Sequence, residues 1–328
     1  MKYNMKDHFI NTILSATGAS SIYEKEEIQG LWSGYGKILR IGLVDSAYKS
    51  VVVKYIQSGE VSSHPRGWDT DFSHQRKVKS YEVESEWYLN WSSLCNQGCR
   101  VPICFAVESF ENEVLIVLED LNETQFCETR VEVSPIEIQA CLTWLAGFHA
   151  RFMKEEPVNL WEQGTYWHLN TRLDELAKML DSPLKENAFL IDKKLYQSSF
   201  KTIVHGDAKL ANFCFTKDGY RAAAVDFQYV GGGCGMKDVA YFFGSCLTEE
   251  ECAERVPIYL DFYFNALAQK LDNDKFYFQE IENEWRKLFP FAWADFHRFL
   301  KGWSPSHWKI NDYSEKITRE VVESFQKK

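Results

Sequence analysis

Between Glu26 and Ile56 apolar and polar positions alternate in three short runs, EEIQGLW, KILRIGLV and VVVKYI, separated by turns at 33–36 and 45–50. A period of two with many β-branched residues predicts strands, and the short turns predict a β-meander. The polar stretch 57–73, which holds His64 and Pro65, breaks the alternation and is expected to be a long loop with a functional use. In RKVKSYEVESEWYLNWSSLC the period changes: Val83, Trp87 and Leu94 recur at helical spacing above a charged outer face. CFAVESFENEVLIVLEDL then predicts a hairpin turning at 111–113.

Past Asn122 the pattern is helical. SPIEIQACLTWLAGFHARFM opens on a Ser-Pro start signal, further helices are expected around 169–180 and 192–200, and the aromatic-rich chain from Glu249 onward has amphipathic helical character. Between these helices IVHGDAKLANFCF and RAAAVDFQ flank the turn TKDGY. Two short strands joined by an Asp-Gly turn would bring Asp207, Asn212 and Asp226 to one end of a hairpin. The change of character near 120–124 divides the chain into an expected sheet-rich part, 1–120, and a helical part, 121–328.

The 328 residues, 45% hydrophobic and 15% aromatic, suffice for a real core and exclude a disordered chain. Lys plus Arg at 37 against Asp plus Glu at 47 gives a net charge of -10, which disfavours nucleic acid and anionic membranes as partners. A local basic pocket for a phosphate remains compatible with that sum. The N-terminus lacks a charged region followed by an apolar run, and no window reaches the length of a membrane span, so a soluble, cytoplasmic protein is expected. The nine cysteines, among them Cys95, Cys99 and Cys104 without C-x-x-C pairs, are expected as buried thiols in a reducing compartment rather than as a zinc site.

Two carboxylates and an amide oxygen at one point suit a hard divalent cation that shares its remaining positions with phosphates. The plain alternative for Asp207, Asn212 and Asp226 is turn chemistry, since Asp, Asn and Gly are the usual loop residues. Their order and spacing carry more. His-Gly-Asp, four residues, Asn and, 14 residues later, an Asp ending an apolar strand resembles the catalytic segment of the aminoglycoside phosphotransferase and choline kinase superfamily. VDFQ, IVLEDL and LAGFHARF are most similar to its CHK-type, ecdysteroid-kinase-like branch, and the pieces keep the family's order from Gly30 to Tyr241.

That resemblance implies an α+β, two-lobed protein-kinase-like fold, with a small N-terminal antiparallel-sheet lobe bearing one helix and a larger, mainly helical C-terminal lobe. It implies an ATP- and Mg2+-dependent phosphotransferase moving the γ-phosphate to a hydroxyl of a small molecule. A nucleotide-binding module without turnover, acting through partners, is the alternative, and a metal-dependent hydrolase on the same carboxylates is a third reading. Protein kinase activity is not expected, because His-Arg-Asp, Asp-Phe-Gly and Ala-Pro-Glu are missing.

By the family's motif Asp207 would orient or deprotonate the attacking hydroxyl, Asn212 and Asp226 would hold Mg2+, and His205 would be scaffold. Lys54 closes a strand where an ammonium is rarely tolerated, so a phosphate and a carboxylate are its natural partners. Glu84 is the expected carboxylate, with Glu82 and Glu86 solvated. SGYGK, with Ser33, Gly34 and Gly36, would cap phosphates through backbone amides, with a plain hairpin as the alternative, since its spacing departs from G-x-G-x-x-G. LEDL, with Glu119 and Leu121, corresponds to the linker whose backbone would bond adenine. Asp238 is either a brace of the catalytic loop or a helix N-cap. His149 is expected to be a core residue, His64 and His74 to flank a substrate-facing or solvated loop, and Trp285, Trp293, Trp303 and Trp308 to wall an acceptor pocket.

Overall fold

A computed structural model describes residues 5–31, 34–57, 71–271 and 275–326. Five antiparallel strands, β1 (Ser21–Gly30), β2 (Gly36–Val44), β3 (Ser50–Gln57), β4 (Cys104–Phe110) and β5 (Glu113–Glu119), form one sheet in the order β1-β2-β3-β5-β4. The pleat of β3 decides what each face does. Val51, Val53 and Tyr55 point to one side and pack with Leu115, Val117 and helix α1 (Asp7–Thr17), whose Phe9 and Ile13 are fully buried. Lys54 and Ile56 therefore point to the other side, toward helix α2 (Asp71–Glu86) and the rest of the molecule.

The pattern along the chain anticipates α2 but not α1, so the N-terminal lobe carries one helix on each face of its sheet. Residues 58–70 of the expected loop, including His64, lie outside the described residues, and 71–73 belong to α2. Helix α2 runs into a π-helical turn, Trp87–Trp91. That wider turn shifts the helical phase: Val83 and Trp87 are fully buried as expected, but Leu94 is 41% exposed.

The C-terminal lobe starts with α3 (Pro135–Arg151), whose Ser134 and Glu137 form a capping box ahead of a helix with Pro at its first turn. Short helices α4 (Leu173–Lys178), α5 (Pro183–Glu186) and α6 (Ala188–Tyr196) follow. The helix expected over 192–200 is shifted toward the N-terminus, because Ser198 and the Ser199 and Phe200 amides leave the helical path to donate to Glu284. Strands β6 (Thr202–Val204), β7 (Phe213–Phe215), β8 (Ala222–Ala224) and β9 (Gly231–Gly233) come next, and β7 pairs with β8 in the anticipated hairpin. β6 pairs with the all-glycine β9, which no side-chain pattern announces. Helices α7 (Met236–Cys246), α8 (Glu249–Ala268), α9 (Lys275–Trp303) and α10 (Asp312–Gln326) complete the lobe. The two-lobed α+β arrangement is thus present, and no helix among the described residues is long and apolar enough to cross a membrane.

At the junction of the lobes Asp120, 2% exposed, accepts hydrogen bonds from Arg40 Nε at 2.8 Å, Ser50 Oγ at 2.7 Å and the Asn122 amide at 3.1 Å. Leu121 packs on Phe126 and on Ala223 of the β7–β8 hairpin. The tight turn before β2 depends on Gly36, at φ +134, where a β-carbon would come within 2.0 Å of the Tyr55 carbonyl oxygen. Gly36→Ala is accordingly expected to destabilise the protein by about 1–3 kcal/mol. Urea unfolding measures this, and an unchanged midpoint would contradict the close approach.

Candidate active site

β6 delivers the chain into a loop, residues 205–212, that is held from beneath. The Asp238 carboxylate accepts from the His205 amide at 2.6 Å, the Gly206 amide at 2.9 Å and His149 Nε2 at 3.1 Å. His149 Nδ1 in turn meets the Tyr263 hydroxyl at 2.7 Å, and both His149 and Asp238 are fully buried. The N-cap of α7 is Gly235, so Asp238 braces the loop rather than capping the helix. His205 is fixed as a neutral ring: its Nδ1 accepts the Asp207 amide at 3.2 Å, and its Nε2–H donates to the Val225 carbonyl at 3.1 Å. Burial lowers its pKa, which suits a scaffold rather than a base.

On this platform Asp207, 6% exposed, presents its two oxygens differently. Oδ2 accepts from Lys209 Nζ and from Asn212 Nδ2, each at 3.1 Å. Oδ1 is buried without a hydrogen-bond partner. Burial pushes the pKa of Asp207 up, Lys209 works against it, and the neighbouring Asp226 charge adds to the rise. Asn212 also donates to the Asp207 carbonyl at 2.8 Å, so its amide oxygen is the atom it can offer elsewhere.

Asp226 follows β8 in the left-handed backbone region, at φ +68. Its Oδ1 accepts from Gln228 Nε2 at 2.8 Å and from Lys54 Nζ at 3.4 Å. Burial disfavours its charge, but the ammoniums of Lys54, Lys209 and Lys77 outweigh burial and hold its pKa down to about 2. Lys54 makes the expected pair with Glu84 at 2.6 Å, with the two side chains only 5% and 2% exposed. Glu82 is exposed on the other face, as anticipated.

Lys77 is a site residue that the sequence reading passes over. Its Nζ donates to Gln228 Oε1 at 2.6 Å, so α2 reaches Asp226 through a three-residue relay. The signal for it is spacing: Lys77, Tyr81 and Glu84 share one helical face. Arg76 beside it donates to the Thr171 carbonyl at 2.6 Å, tying α2 to the C-terminal lobe.

On the side facing β2 and the linker, Ser33 lies outside the described residues. Gly34, at φ +75, donates its N–H to the Leu31 carbonyl at 3.2 Å, and Tyr35 stacks on His74. The Glu119 amide donates to the Ile103 carbonyl at 2.8 Å and its carboxylate is held by Arg100 and the Ile103 amide, which turns that side chain away from the cleft. Among the tryptophans expected to wall a pocket, Trp285 is fully buried and donates to the Phe200 carbonyl at 3.0 Å, and Trp293 is 6% exposed. These two are core, because the aromatic stripe of α9 packs inward. Trp308 is 63% exposed. Cys95, Cys104, Cys127, Cys214 and Cys246 are only partly buried, although all nine thiols are free.

The oxygen donors gathered here, an ionised Asp226 and the Asn212 amide oxygen, fit a hard divalent cation completed by phosphates. No group of three or more His, Cys, Asp or Glu side chains is placed to hold a metal by itself among the described residues.

The sequence model of the DUF1679 family, described as "Uncharacterized oxidoreductase dhs-27", matches residues 167–323. No curated protein matches the chain. Among solved structures, amicoumacin kinase hAmiN in complex with AMP-PNP, Ca2+ and Ami aligns over 98% of this chain and 94% of its own at a TM-score of 0.53 and 12% identity. A Plasmodium vivax ethanolamine kinase aligns over 93% of this chain and 84% of its own at 0.50 and 11% identity. At such identities the likeness is one of fold. The chain shares the two-lobed fold of these two kinases.

Proposed function

We propose that this protein is an ATP- and Mg2+-dependent phosphotransferase of the CHK kinase-like branch that moves the γ-phosphate to a hydroxyl of a small molecule. The observation that carries the proposal is the buried Asp207 Oδ1, free of partners while Lys209 and Asn212 hold the other oxygen. A carboxylate fixed in that way is poised to accept a hydrogen bond, and then a proton, from an acceptor hydroxyl. Lys54, oriented by Glu84, is the contact for the nucleotide phosphates, and Lys209 stands beside Asp207 to offset charge on the transferring group. Asn212 and Asp226 would hold Mg2+, which when bound neutralises the β- and γ-phosphates. The nucleotide would lie between the 33–36 turn, with Ser33, Gly34 and Gly36, and the linker backbone at Glu119 and Leu121. In this scheme the division of labour would fall at 120/121, with 1–120 as the nucleotide-binding lobe and 121–328 as the catalytic and substrate-binding lobe. The free thiols favour a reducing compartment such as the cytoplasm.

The test is phosphate transfer from Mg-ATP into a pool of amino sugars, choline-like amines, sterols, sugars and hydroxy acids, read by mass spectrometry with Asp207→Ala as control. A product one phosphate heavier, made only by the intact protein, supports the proposal. Saturable Mg-ATP binding with no product across such pools would favour a binding module instead.

Gln228 is a positioning residue in this scheme, since it steadies the Asp226 oxygen. Gln228→Leu is expected to raise the Mg2+ concentration needed for half-maximal nucleotide binding by about tenfold. Metal-free nucleotide binding and thermal stability should change far less. Calorimetry at stepped Mg2+ checks this, and a uniform loss with and without Mg2+ would reduce Gln228 to packing.

A further inference from the structure

One ammonium near Asp207 is not used by the scheme above. Lys309, in the connection between α9 and α10, places its Nζ 5.1 Å from the ring centre of Tyr241, 5.5 Å from Phe296 and 5.5 Å from Trp308. No carboxylate forms an ion pair or hydrogen bond with it among the described residues. Tyr241 ties this box to the catalytic loop, because burial and the Asp207 carboxylate both push its phenol well above the ordinary value. Asp207 is already paired with Lys209 at 3.1 Å, so its carboxylate has a nearer ammonium than Lys309.

Three rings around a cation are the arrangement that recognises a quaternary amine. Here the chain's own lysine occupies the box. A cationic acceptor would have to displace that side chain and face Lys209 as well. An anion would instead supply the partner Lys309 lacks.

We infer that Lys309 is a specificity-determining residue that pairs with a carboxylate on the acceptor, making the acceptor an alcohol with an acidic group. This rests on the phosphotransferase reading above. Burial lowers the Lys309 pKa to about 8, so its positive charge is present at neutral pH and lost as pH rises through that value. The titratable groups that face it are Asp207 and Lys209 from the catalytic loop, Tyr241 and Cys246 from α7, Cys252 from α8 and His297 from α9.

Three matched probes test the inference on the full chain: para-hydroxymethylbenzoate, its methyl ester and para-hydroxymethylbenzyltrimethylammonium. Their binding is read by saturation-transfer NMR, without turnover. The carboxylate is expected to bind roughly tenfold tighter than the other two. That preference should persist in Lys309→Arg, vanish in Lys309→Met, and fade as pH is raised past about 8 in the wild type. Equal binding of the three probes, undetectable binding included, overturns the inference, as does tighter binding of the trimethylammonium compound or a carboxylate preference that survives Lys309→Met. Calorimetry of Mg-ADP runs alongside on all variants: loss of nucleotide binding throughout would sink the phosphotransferase reading, whereas intact nucleotide binding with no carboxylate preference would sink only the role of Lys309.

Discussion

Asp207→Asn is expected to lower the rate of phosphate transfer on the order of a thousandfold while leaving the Kd for Mg-ATP within about threefold. The asparagine keeps the shape and one oxygen, so the contact with Asn212 can persist, but the amide cannot take a proton. Burial raises the pKa of Asp207 above the ordinary aspartate value of 3.8, so the acid limb of the rate profile should fall at a pH above that value, as the base becomes protonated. The variant should lose this limb along with its activity. Single-turnover transfer and calorimetry together decide the matter. A loss of less than tenfold, or an equal loss of nucleotide affinity, would place the proton acceptor elsewhere.

Lys54→Met should have the second largest effect, and a compound one. Removing the ammonium takes away the proposed phosphate contact, for an expected loss on the order of a hundredfold in rate. It also leaves Glu84, 1% exposed, as a buried carboxylate without its partner, at a cost of roughly 3–5 kcal/mol in folding stability. The double variant Lys54→Met/Glu84→Gln separates the two consequences. Stability should largely return, because neither charge remains to be buried alone, and activity should not. Denaturant unfolding and initial rates on the three proteins check both halves, and recovery of activity in the double variant would show that Lys54 acts only through folding.

Much of this site is readable in the sequence because its pieces are local. Asp207, Asn212 and Asp226 are brought together by one short hairpin, and their spacing needs no knowledge of the rest of the chain. Lys54 is readable because a period of two sends it to the face opposite Val53 and Tyr55. Other parts are not local. Lys77 meets Gln228 across 151 positions, and Lys309 meets Tyr241 only after α8 and α9 have packed. The spacing of Lys77, Tyr81 and Glu84 puts Lys77 on the right helical face but does not name Gln228 as its partner, and nothing near Lys309 points to Tyr241. β9 is hidden for another reason: three glycines alternate nothing, and the strand exists because bare backbone can approach Trp161 closely. The exposure of Leu94 follows from a single wide helical turn, which a fixed period cannot represent.

The backbone of Asp226 bears on how such a protein changes over evolutionary time. Its positive φ is one that asparagine and glycine adopt readily, and each of them is one base change from an aspartate codon. Replacing this carboxylate with either therefore meets little backbone resistance, unlike replacing a buried core side chain. Selection on the reaction guards the position, together with the ammonium groups that face Asp226. A lineage that ceased to need the chemistry could lose it in one step and keep a folded cleft for some other use.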